Sequence, residues 1–136
     1  MRSRSDFLQK IVAVAPLTIF LVLAGCSPQP VVLGDGSCSW PKVGDNVKGT
    51  AILRSWAGTG CIECGARLTQ AGCQGRLSFR FGSAEAEHDY DRITRRLAGE
   101  PRYEPIERTV FVTGKAIAGR KDGTSLLIVS HVAPAQ

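Results

Sequence analysis

The chain has 136 residues, with 17 lysines and arginines against 12 aspartates and glutamates, a formal net charge of +5 and five cysteines. That length fits one small domain and excludes a multidomain assembly, and the basic surplus is too mild to demand a polyanionic partner. His88 and His131 are the only histidines and no nucleophile phrase of the G-x-S-x-G kind is present, so no enzymatic activity is expected.

The amino terminus has three parts in the order of an export signal. Arg2, Arg4 and Lys10 form a basic segment, residues 11–25 form a fifteen-residue apolar run, and Leu23-Ala24-Gly25-Cys26 closes it with small residues. At 1.5 Å per residue the run spans about 22 Å, short of the roughly 30 Å hydrocarbon core. Pro16 weakens a helix there further. A cleaved signal over residues 1–25 is therefore expected rather than a retained membrane span.

Leu23-Ala24-Gly25-Cys26 resembles the lipobox of bacterial membrane lipoproteins. The resemblance implies a diacylglycerol on the Cys26 sulfur, cleavage just before Cys26 and an N-acyl chain on the freed amine, with no other cofactor. Two or three acyl chains, at about 0.8 kcal/mol per buried methylene, anchor firmly where one is marginal. Ser27 in the following position is similar to the pattern of outer-membrane residents, so the expected location is the cell envelope, on the outer membrane facing the periplasm if the organism is Gram-negative. Loss of the signal leaves 14 basic and 11 acidic residues, a net charge of +3.

Residues 26–43 are expected to be a lipidated end and tether. Ser27-Pro28-Gln29-Pro30-Val31-Val32-Leu33-Gly34-Asp35-Gly36 is proline- and glycine-rich without helical or strand period. Fully extended, those ten residues reach about 30 Å. The alternative is that Val31-Val32-Leu33 dock on the domain.

Residues 44–133 then read as a β domain. A first long strand is predicted over residues 47–56, with Gly49 marking a bend or a close backbone approach. A second follows at 66–70. Residues 76–81 give the clearest alternation, with Leu77, Phe79 and Phe81 on one face and Arg76, Ser78 and Arg80 on the other. Residues 87–98 read as a helix with Tyr90, Ile93 and Leu97 on its apolar side and Gly99 as its stop. Two β-branched stretches, 109–117 and 125–132, are joined by Arg120-Lys121-Asp122-Gly123 and should pair as a hairpin. This order resembles a small five-stranded Greek-key barrel of the oligonucleotide/oligosaccharide-binding type, mainly β with one helix. The runner-up is an open antiparallel sheet with one helix on it.

Cys38, Cys61, Cys64 and Cys73 are an even set in an exported chain, which predicts two disulfides. Three pairings are open; the preferred one joins Cys64 to Cys73 and Cys38 to Cys61. Cys61-Ile62-Glu63-Cys64 also has redox-active spacing, and Cys61, Cys64 and Cys73 with Cys38 or a histidine could hold zinc, so a periplasmic thiol-redox or metal-binding protein is the alternative function. The strand-like residues after Cys64 lack the helix that stabilises a thiolate. Glu85, Glu87, Asp89 and Asp91 lack the glycine turn and terminal glutamate of a calcium loop and suit a helix start.

If the barrel resemblance holds, its second and third strands and adjacent loops form the binding face. That face would present Arg67, Arg76 and Arg80, with Trp56 as a stacking platform. The sequence thus predicts a lipid-anchored envelope module, binding or structural. Its partners are membrane lipid and an anionic envelope polymer or saccharide. Nucleic acid is not expected, because the chain is exported.

Overall fold

The computed structural model describes residue 25, residues 27–56, residue 59 and residues 65–136. Residues 1–24 of the expected signal, Cys26, Cys61 and Cys64 lie outside the described residues. Among those described, no helix is long and apolar enough to cross a membrane.

The molecule is mainly β: β1 (Val31–Leu33), β2 (Asn46–Ser55), β3 (Arg67–Thr69), β4 (Leu77–Phe81), α1 (Ala84–Ile93), β5 (Ile106–Ala118) and β6 (Ser125–Pro134). Alternation sets the faces. In β2, Val47, Gly49, Ala51, Leu53 and Ser55 are buried, while Lys48, Thr50 and Arg54 face solvent. Leu77 is buried and Phe79 and Phe81 are half-buried on the inner side of β4, with Ser78 and Arg80 outside, as the sequence predicts.

The strands form one mixed sheet in the order β1-β2-β3-β4-β6-β5, and β5 pairs again with β2 so that hydrogen bonding runs in a ring. Neighbours are antiparallel except for β1 on β2 and β4 beside β6. The parallel β4–β6 pair needs a long crossover, which α1 and β5 supply. A register shift at Thr113/Gly114 lets the long β5 bend to reach both β2 and β6. The expected hairpin of the last two strands is present. The result is not the clean five-stranded barrel of the sequence reading, because β3 is only three residues long and a sixth strand has joined.

That sixth strand comes from the predicted tether. β3 pairs with Ile52, Leu53 and Arg54 only, which leaves the first half of the same β2 edge open. Val31, Val32 and Leu33 occupy it opposite Val47, Lys48 and Gly49. Covering an exposed edge removes unpaired backbone groups and places Leu33, 2% exposed, in the core. Gly49 permits the approach: its φ is +134°, and any Cβ there would be driven into the Leu33 carbonyl oxygen.

The helix starts and stops earlier than its apolar spacing predicts. Ser83 caps it, its hydroxyl accepting the Ala86 N–H at 3.2 Å, and Glu85 and Glu87 sit in the favourable first turn. At the other end the Thr94 hydroxyl and N–H both donate to the Tyr90 carbonyl, which closes the last turn. Tyr90 and Ile93 pack on the core as expected, but Leu97 lies beyond the helix and is 66% exposed. Gly99 belongs to a later turn, not the helix stop. Leu53, Leu68, Val110, Val112 and Leu127 fill the centre of the ring, each at most 1% exposed, and the residual gap of about 10 Å³ is at the margin of holding one water.

Cys38 is bonded to Cys73, with a Cα–Cα distance of 5.4 Å, which overturns the preferred pairing of Cys38 with Cys61 and Cys64 with Cys73. The cause is the docking of β1, which lays the following loop across the β3–β4 connection. Gln70, 2% exposed, holds the two together: its Oε1 accepts the Gly34 N–H and its Nε2 donates to the Ser39 carbonyl, both at 2.8 Å. Trp40 adds a donation from Nε1 to the Gln74 carbonyl at 3.0 Å. The bridge closes a loop of sequence separation 35, so Cys38→Ala with Cys73→Ala should lower unfolding stability in urea by about 3–4 kcal/mol. An unchanged midpoint would mean that Gln70 and Trp40 alone hold these loops.

Candidate functional site

The four residues assigned to a ligand face from sequence divide into two neighbouring groups. Register places Arg67 opposite both Arg54 and Ser78, on the outer side of β2, β3 and β4. Two arginines directly across a strand pair repel, and two neighbours relieve that. Glu107 lies 3.4 Å from the Arg54 Nε, and the Trp56 ring has the Arg54 and Arg67 guanidinium carbons 5.2 and 4.6 Å from its centroid. Trp56 is half-buried and its ring is engaged by two cations.

Arg76 and Arg80 belong to a different setting. They line a groove of about 980 Å³ that runs along β4, and Arg120, Lys121 and Thr124 of the β5–β6 hairpin line it too. Trp40, Phe79, Phe81 and Tyr90 add aromatic surface to it. Arg67 and Trp56 are not among the described residues that line this groove. Sequence reasoning missed Arg120 and Lys121, because the turn that holds them was read only as a hairpin signal. Their basic character was visible, but their position opposite β4 follows from the parallel β4–β6 pairing.

The electrostatics of the groove are one-sided. Among the described residues the ion pairs are Arg54–Glu107, Arg92–Asp89 and Arg108–Glu100. Arg76, Arg80, Arg120 and Lys121 take part in none of them, and all four are exposed. Asp122 in the hairpin offsets a part of this charge without lining the groove. Cations without an ion-pair partner among the described residues, gathered in one groove, raise the local concentration of anions, and the groove shape focuses that field.

The aromatic side is held in place from below. The Tyr90 hydroxyl and the Ser55 hydroxyl share a 2.6 Å hydrogen bond, and the Phe79 and Phe81 ring centroids lie 5.9 and 5.0 Å from that of Tyr90. Burial pushes the Tyr90 phenol above its ordinary value of 10.0, against the opposing pull of the Ser55 hydrogen bond.

His88 and His131 are exposed on α1 and β6. The acidic run Glu85, Glu87, Asp89 and Asp91 lies on α1, where Asp89 pairs with Arg92. Among the described residues no three His, Cys, Asp or Glu side chains are grouped to hold a metal. The disulfide also takes Cys38 and Cys73 out of the zinc set considered from sequence, and the redox reading of Cys61 and Cys64 falls outside the described residues. Comparison with known protein families, curated proteins and solved structures finds no match to this chain.

Because the partly buried Tyr90 favours its protonated form, its share of stability is complete below pH 10 and declines as pH rises through the raised folded value. Tyr90→Phe should remove that alkaline decline, seen in melting temperature against pH. At neutral pH it should cost about 1 kcal/mol for the lost hydrogen bond to Ser55. An alkaline profile identical to that of the unaltered protein would place the sensitivity elsewhere.

Proposed function

We propose that this chain is a lipid-anchored cell-envelope module that binds an anionic polymer or acidic saccharide in the groove between β4 and the β5–β6 hairpin. The observation that carries the reading is a groove lined by Arg76, Arg80, Arg120 and Lys121, none of which has an ion pair among the described residues, together with aromatic surface. A planar guanidinium suits carboxylate or phosphate, and aromatic side chains suit the apolar faces of sugar rings. The strand order and the helix between β4 and β5 support the oligonucleotide/oligosaccharide-binding type, in which such a face is used.

The compartment rests on Leu23-Ala24-Gly25-Cys26, with acyl chains on Cys26, on Ser27 for an outer-membrane address, and on the use of Cys38 and Cys73 in a bridge suited to an oxidising space. Export makes nucleic acid a poor candidate for the groove despite its charge. The module needs no catalytic group for this role, and its specificity would come from spacing of acid groups along the ligand.

Two measurements test the proposal. The intact mass of membrane-extracted protein should correspond to a chain beginning at Cys26 with two or three acyl chains; a mass retaining Met1 without lipid would sink the anchor. Alginate, an acidic polysaccharide, should bind with an affinity that falls with salt, and Arg76→Ala plus Arg80→Ala should weaken it about tenfold. Equal binding of neutral dextran, or unchanged binding by the folded double variant, would refute the groove.

A further inference from the structure

The docking of β1 fixes which end of the domain faces its anchor. Only residues 27–30 separate Cys26 from the first residue of β1, instead of the ten-residue spacer that the sequence allowed. From Cys26 to Val31 the chain reaches at most about 17 Å, and β2 alone is about 30 Å long. An acylated Cys26 therefore cannot be shared between the two ends of the molecule. It stays with the end where β1 begins.

That end is defined by pairing. Val31 lies opposite Val47, near the start of β2, and Val47 lies opposite Gly114 on the other side. The loop before β2 is tied to the end of β5, with Gly44 donating to the Ala116 carbonyl and Ala116 donating to that of Asp45, each at 2.8 Å. This brings Val43, 60% exposed, and Ile117, 39% exposed, to the same end as the chain's entry. Lys42 and Lys115, both exposed, flank them, and neither has an ion pair among the described residues. Arg120 and Lys121, both exposed, follow in the turn after β5. The nearby acids are Asp45, whose carboxylate accepts the Lys42 N–H at 2.8 Å, and Asp122 in the hairpin.

We infer that this end is a membrane-contact surface that seats on the bilayer carrying the chain's own anchor. The inference rests on acylation of Cys26 in the proposed function, and adds to it an orientation. Two exposed aliphatic side chains, each with a lysine one or two residues before it, suit the interface of an anionic bilayer, the apolar groups entering the headgroup boundary and the ammonium groups meeting lipid phosphates. The opposite end, where residues 94–105 lead into Ile106 beside Ser55, also carries exposed apolar groups in Leu97 and Tyr103, so it is the reach of the tether that distinguishes the two ends.

The test uses the full acylated protein in phosphatidylcholine vesicles with and without phosphatidylglycerol. Tryptophan is placed at either end, as Val43→Trp or Tyr103→Trp, and quenching by brominated lipid is read against the common background of Trp40 and Trp56. Val43→Trp should be quenched at least about twofold more than Tyr103→Trp, and more strongly when phosphatidylglycerol is present. Lys42→Gln plus Lys115→Gln should abolish the phosphatidylglycerol-dependent part. Equal quenching at the two ends, or stronger quenching at position 103, overturns the orientation while leaving the anchor intact. Intact mass of the same sample distinguishes the two failures, because a chain without acyl groups removes the anchor and this inference with it.

Discussion

The backbone of β1 runs alongside β2 because Gly49 carries no side chain, and much of the architecture at that end follows from this contact. The half-edge that β3 leaves open is closed by Val31–Leu33, with Leu33 in the core. The loop after β1 is thereby laid against the β3–β4 connection, where the buried Gln70 side chain pairs with the Gly34 N–H and the Ser39 carbonyl. Cys38 then meets Cys73, so the covalent bond records a geometry already set by strand pairing. Without that docking, the bridge would have no reason to choose this partner.

The same ring of pairings decides where charge collects. Parallel pairing of β4 with β6 brings the β5–β6 hairpin beside β4, so basic residues separated by some forty positions in the chain line one groove. By contrast, the arginines on the outer side of β2 and β3 are consumed within the protein, Arg54 by Glu107 and both Arg54 and Arg67 by the Trp56 ring. The difference between the two groups is local supply of partners. It is the reason the groove, and not the Trp56 face, carries the functional proposal. In the proposed lipid-anchored form, the pairing of β1 leaves only residues 27–30 as a tether, which would set one end of the groove-bearing domain toward the membrane.

Much of the fold was legible where a short-range period governs it. The alternation of Leu77, Phe79 and Phe81 gave the inner face of β4, and the β-branched stretches with their Asp-Gly turn gave the final hairpin. Gly49 was recognisable as a position of close approach, although nothing local said which strand approached. The helix was placed too late along the chain, since Leu97 has the right spacing while Ser83 and Thr94 supply the caps that end the helix first. At the candidate site, Arg76 and Arg80 were legible from their face of β4. Arg120 and Lys121 were not, because a turn's basic residues have no meaning for a site until the opposite wall is known.

By itself the sequence determined which side of β4 is apolar, that the chain is mainly β with one helix, and that the last two strands pair, because side-chain period and turn chemistry act over a few residues. Tertiary structure decided that Val31–Leu33 is a strand, that Cys38 joins Cys73, and that four cations share a groove. Each of these depends on register between segments far apart in the chain, and register is set when the ring of strands closes around a shared core.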